Sequence, residues 1–132
     1  MREIKFRGFS KNLIYNEWVY GDLVHYYKDE IYILPQNEIC WDIFNDGDEV
    51  IEESIGQYTG LKDKDGKEIY EGDILQLPKG DIMYVKWTDT FKVFVLVDPT
   101  GKAIPTNISD YATELMKIIG NIFENKELLK TE

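Results

Sequence analysis

The stretch Asp63-Lys64-Asp65-Gly66 offers the first chance of chemistry, because two carboxylates alternate ahead of a glycine. A calcium loop takes oxygens at alternate positions, a glycine at the sixth and a glutamate at the twelfth. Here the glycine is fourth, so the stretch reads as a hairpin-like turn. Asp46-Gly47-Asp48 fails the same test. It belongs to a run in which Glu38, Asp42, Asp46, Asp48, Glu49, Glu52 and Glu53 occur without a basic residue. That run reads as a solvated acidic loop, or as a surface for a basic partner. His25 and Cys40 are each the only residue of their kind. They form no metal set at a familiar spacing, and no Ser/His/Asp set for nucleophilic catalysis stands out. The glycines fit neither Gly-Lys-Ser/Thr nor G-x-G-x-x-G, so no phosphate loop is expected. These readings lead to the expectation of a protein that is not an enzyme and has no cofactor.

What remains is a set of aromatic side chains interleaved with amines: Tyr84, Lys86, Trp87, Phe91 and Lys92, with Lys79 nearby. Such a set could stack bases and neutralise phosphates. It could equally supply the aromatic anchors of a protein contact. Charge separates the two. The chain carries 15 Lys+Arg against 25 Asp+Glu, a net charge of -10. A phosphate backbone is repelled at long range by such a chain, which argues against nucleic acid and for a basic protein partner. Tyr84, Lys86, Trp87, Phe91 and Lys92, with the acidic Asp46, Asp48 and Glu49, are therefore the candidate interaction surface.

These residues need elements to hold them. Ile4-Lys5-Phe6-Arg7 alternates with the period of a half-buried strand, and its basic residues, with Arg2 and Lys11, form the one locally basic patch. Ser10-Lys11-Asn12 is turn material, followed by the runs Leu13–Tyr15 and Trp18–Tyr20. Gly21-Asp22 precedes a strand through Tyr27, and Ile31–Leu34 is a strand stopped by Pro35. Ile55–Tyr58 is predicted as a strand with Gly60 closing a bend. Gly72-Asp73 launches another strand. Met83, Val85 and Trp87 share one face of the next, with Ile82, Tyr84 and Lys86 on the other. Val93–Val97 is continuously apolar, as a strand buried on both sides would be. Asp98-Pro99-Thr100-Gly101 is a type I turn, Ala103–Pro105 a short edge strand, Ser109 or Asp110 the cap of a brief helix through Leu115, and Met116–Phe123 a last strand. Asn125 caps a closing turn.

The predicted class is mainly β with short helices (α+β). Residues 1–56 form a β-rich N-terminal region with an acidic insert, and residues 57–132 an SH3-like barrel that buries its edges by closure. Glu17–Val24 echoes Glu68–Leu75: Gly-Asp followed by two aliphatics recurs 51 residues later. Either a duplication or convergent turn chemistry accounts for this. The lone cysteine suits a reducing compartment. The charged N-terminus is no secretory signal, and no run nears the ~20 apolar residues of a membrane span.

From Gly56 through Ile74, Gly-Gln-Tyr-Thr-Gly-Leu-Lys-Asp-Lys-Asp-Gly-Lys-Glu-Ile-Tyr-Glu-Gly-Asp-Ile resembles the signature of the YopX family of phage and prophage proteins. Ile4–Gly8, Trp18–Leu23 and Ile119–Asn125 fit the same family. The resemblance implies a two-part protein with an SH3-like C-terminal half, encoded by a phage or prophage and acting in the host cytoplasm. It assigns no site residue. The expected function is a non-enzymatic interaction module for a host or phage protein, with self-association into a homo-oligomer as a further arrangement. The alternative is nucleic-acid binding through the barrel's aromatic and lysine residues.

Overall fold

A computed structural model describes residues 3–36 and 47–129. It is mainly β, built from two antiparallel sheets and single 3-10 turns. Two compact units divide the chain, Met1–Tyr58 and Thr59–Glu132.

In the first unit, β1 (Phe6–Phe9) pairs with β2 (Trp18–His25), β2 with β3 (Ile31–Leu34), and β3 with β4 (Asp48–Glu49). The start of β5 (Gly56–Lys62) flanks the other side of β1. Register sorts the side chains by face. Phe6 lies opposite Gly21, Gly8 opposite Val19, and Leu23 opposite Ile33. Directly opposed residues point the same way. One face therefore collects Phe6, Val19, Leu23 and Ile55 around buried Ile31, Ile33 and Val50. Two glycines let the backbone come close. A Cβ on Gly8 would stand 2.8 Å from Val50 Cβ, and one on Gly21 only 1.9 Å from the carbonyl oxygen of Leu34. Gly21-Asp22 thus lies inside β2, and does not start a strand as its sequence suggests. The opposite face holds Arg7, Phe9 and Trp18. The guanidinium of buried Arg7 lies 4.6 Å over the Trp18 ring, and Phe9 meets that ring edge-on at 5.3 Å.

In the second unit, β5 continues through Gly60 (φ 88) rather than bending there, and reaches the Asp63–Gly66 turn and β6 (Glu68–Tyr70). A five-stranded sheet follows in the order β10-β9-β8-β7-β11, with β7 Asp73–Gln76, β8 Ile82–Thr88, β9 Val93–Val97, β10 Thr106–Asn107 and β11 Lys117–Asn121. β8 buries Met83 and Val85 and half-buries Trp87, the face that its alternation predicts. The three middle residues of β9 are buried. Ile69, Leu75, Val85 and Leu96, all fully buried, form the centre of this core with Met83, Phe94, Ile108 and Met116.

Closure fails. β10 and β11 stand at opposite ends of the order, and no pairing joins them among the described residues. The expected strand at Ala103–Pro105 is absent; β10 begins after Pro105 and has two residues. Proline has no N–H to give a ladder, which shortens that edge. The expected brief helix is two 3-10 turns, Ile108–Asp110 and Thr113–Leu115. Asn107, not Ser109 or Asp110, caps the first, accepting from the Ser109 N–H.

Candidate functional site

The hairpin β8–β9 shapes a groove on the second unit. Thr88 pairs with Val93, so Asp89-Thr90-Phe91-Lys92 forms its loop, with Lys92 in the left-handed region (φ 55). That turn carries Phe91 outward, 76% exposed. Lys86 lies opposite Val95 and Tyr84 opposite Val97, which places these four on the face away from Met83 and Val85. The chain after β9 returns past this face with Ile104, 85% exposed, and Pro105. The result is a groove of about 520 Å³ whose walls include Lys86, Trp87, Phe91, Val97, Ile104 and Pro105. Trp87 is anchored twice: its ring meets Phe94 edge-on at 5.0 Å, and its Nε1 donates to Asp89 Oδ1 at 2.9 Å.

One carboxylate sets the far wall. Asp98 Oδ1 accepts from the Thr100 N–H (2.9 Å) and hydroxyl (2.8 Å), and Oδ2 accepts from the Ala103 N–H (3.1 Å). The Thr100 N–H and hydroxyl, the Ala103 N–H and the charge of Lys102 hold its carboxyl below the usual range, against a smaller opposing effect of desolvation. The turn signal at Asp98–Gly101 was legible; its delivery of Ile104 and Pro105 to the groove was not.

The candidate residues fall in both units. Lys86, Trp87 and Phe91 come together in the groove. Tyr84 is half-buried on the same strand, and Lys92 sits on the loop with its amine 4.0 Å from Asp89. Asp48 and Glu49 are in the first unit, on β4, in a shallow depression shared with Lys11, Asn12 and Tyr32. Lys11 Nζ reaches Glu49 Oε2 at 3.0 Å, and this hydrogen bond and charge raise the lysine's pKa. Burial, then the charges of Glu30 and Glu49, push the Tyr32 phenol up. Asp46 and Cys40 lie outside the described residues. The basic N-terminal patch is largely committed within its own unit: Arg7 on Trp18, Lys5 over Tyr58, Lys11 on Glu49. Lys79 does not join Lys86; it lines a different depression.

The central stretch turns out to be built for folding. Asp63 is 4% exposed. Its Oδ1 accepts from the N–H groups of Asp65 and Lys67, both at 2.9 Å, and its Oδ2 from that of Ile118 at 3.1 Å. Burial alone would raise its pKa, but these three donors hold it below the usual range. Asp73, 2% exposed, accepts from the Tyr70 N–H at 2.8 Å. Thr59 donates to the Ile69 carbonyl at 2.8 Å. Of the two carboxylates that invite a calcium reading, that of Asp63 is spent on backbone amides, while Asp65 is exposed and contributes its N–H.

Sequence reasoning also missed an apolar loop in the first unit. Leu13, Ile14 and Tyr15 are 94%, 82% and 66% exposed. Asn12 Oδ1 accepts from the Ile14 N–H at 2.8 Å and turns the chain there. The asparagines flanking the run, Asn12 and Asn16, were the available signal. Among the described residues no three His, Cys, Asp or Glu side chains gather to hold a metal ion, and no helix is long and apolar enough to cross a membrane.

A family model described as YopX protein matches residues 5–130 of this chain. No curated protein matches it.

Proposed function

This chain belongs to the YopX family, and from that premise we propose that it is a phage- or prophage-encoded, non-enzymatic protein-interaction module. The observation that carries the reading is the groove lined by Phe91 and Ile104, two large apolar side chains left almost bare. Exposed apolar side chains around a concavity favour a protein contact over free solvent. The occupant is a basic segment of a partner that offers an apolar side chain. The net charge of -10 steers such a segment inward, and Asp89 at the groove wall meets its charge. Within this reading the second unit is an open relative of an SH3-like barrel. The order β11-β7-β8-β9-β10, with two 3-10 turns between β10 and β11, supports that.

Affinity purification of tagged protein from producing cells tests the proposal when run beside Phe91→Ser/Ile104→Ser. Both positions are exposed, so the variant folds, which a thermal melt checks. A stoichiometric basic partner is recovered with the wild type and lost with the variant. Recovery of the wild type alone, or of the same partner at the same level by both, overturns the reading. Nucleic acid as the recovered partner would overturn it too.

A further inference from the structure

A second depression of the Thr59–Glu132 unit has the opposite electrostatic character to the chain as a whole. Lys64, Lys79 and Lys117 line it together with Gln76, Pro78 and Gly80. Carboxylates outnumber cations 25 to 15 in this chain, yet none lines this depression. The three amines have no ion pair within 4.0 Å among the described residues. Left without a ligand, three like charges around one hollow repel one another.

The backbone brings them together from three places. Lys64 lies in the Asp63–Gly66 turn, and its N–H donates to the Met116 carbonyl at 2.8 Å, immediately before Lys117. Lys117 opens β11 directly opposite Gln76, the last residue of β7. Lys79 sits in the β7–β8 turn, closed by the Leu77 N–H on Asp81 O and the Gly80 N–H on Leu77 O, both at 2.8 Å, with Gly80 at φ 102. All three backbone positions are therefore fixed before any ligand arrives, which lowers the ordering cost of binding. The nearby Asp63 carboxylate is occupied by its three backbone donors and is buried away from the depression.

We infer that this depression binds a small ligand through phosphate groups. Lysine is a point-charge binder of phosphate, and each phosphate group brings ~1.5 to 2 negative charges, so a pair of them balances three amines. The hollow is about 280 Å³. Drug-sized ligands take ~300–1,000 Å³, so a compact anion fits better. No aromatic side chain lines it, so it offers no platform for stacking a base, unlike a single-strand-binding groove. The acidic remainder of the chain does not forbid this. At physiological salt, charges beyond the Debye length of ~8 Å are largely screened, and the local lysines dominate.

Amide NMR of the full chain, titrated with pyrophosphate, tests the inference. Chloride at matched ionic strength gives the background. The amides of Lys64, Lys79, Gly80 and Lys117 move together along one saturating curve, and Lys64→Gln/Lys79→Gln/Lys117→Gln weakens binding at least tenfold with the rest of the spectrum unchanged. Lys62→Gln/Lys102→Gln, which removes two lysines outside the hollow, leaves the affinity as it was. Scattered shifts, shifts equalled by chloride, or an unaltered affinity in the triple variant overturn the site. A single-stranded oligonucleotide that moves the same amides more strongly than pyrophosphate overturns the ligand class.

Discussion

The dipeptide Gly-Asp occurs in equivalent sequence settings in the two units, and the division of labour within it is reversed. At Gly21-Asp22 the glycine is indispensable. It lies inside β2 against the Leu34 carbonyl, where no side chain fits. Asp22 is exposed and accepts one hydrogen bond, from Gln36 Nε2 at 2.6 Å. At Gly72-Asp73 the carboxylate is indispensable. Asp73 is buried and caps the Tyr70 N–H, while Gly72 supplies a positive φ of 96° in the turn before β7. The same letters answer different demands, close approach of backbone in one unit and satisfaction of a buried donor in the other. The shared dipeptide is therefore no guide to shared structure.

Substitutions can break this contrast, the severest first. Gly21→Ala sets a methyl into a backbone carbonyl, and we expect a loss of about 4 kcal/mol or failure of the first unit to fold, measured by urea unfolding. Asp73→Ala leaves a buried N–H without its acceptor and a cavity beside it, at a cost of about 3 kcal/mol. A loss under 1 kcal/mol for Asp73→Ala would mean that the two carboxylates are equivalent after all. Asp22→Ala, at the bottom of the scale, costs about 0.5 kcal/mol, the value of one exposed hydrogen bond.

Asp63→Asn falls between the last two, at about 1–2 kcal/mol near neutral pH. It also has a pH signature. The folded carboxyl of Asp63 is held below its unfolded value. Its contribution is complete above the ordinary carboxylate pKa of ~3.9 and is lost as pH falls through the folded value. The wild type should therefore lose stability on acidification more steeply than Asp63→Asn when unfolding is followed at a series of pH values from neutral downward. Parallel curves would show that the three donors contribute nothing linked to charge.

Strand positions and turns were legible because they rest on local chemistry. The alternation of Ile82–Trp87, the apolar run Val93–Val97 and the Asp-Pro-Thr-Gly turn each declare themselves within a few residues. Long-range pairing was not legible. Nothing local says that Lys117 stands opposite Gln76, so the lysine hollow, assembled from residues 64, 79 and 117, could not be anticipated. The groove was half visible. Lys86, Trp87 and Phe91 announced themselves by type, whereas Ile104 and Pro105 were read as an edge strand because the side-chain bonds of Asp98 that shape the loop cannot be inferred from hydropathy. The exposure of the Leu13–Tyr15 run was hidden for the same reason. An apolar run normally signals a strand, and here a single asparagine turns it outward.

The Asp63–Ile118 bond joins residues 55 apart, tying the first turn of the second unit to its last strand. For a chain emerging from the ribosome this is a late contact. Asp63 can meet Asp65 and Lys67 at once, but its third donor arrives only when β11 has been made. Loop-closure entropy must be overcome before that contact gives any return, so the unit should fold slowly for its size and only once β11 has been made. The turn that dominates the family signature is thus a latch that the nascent chain cannot shut until nearly all of the unit is present.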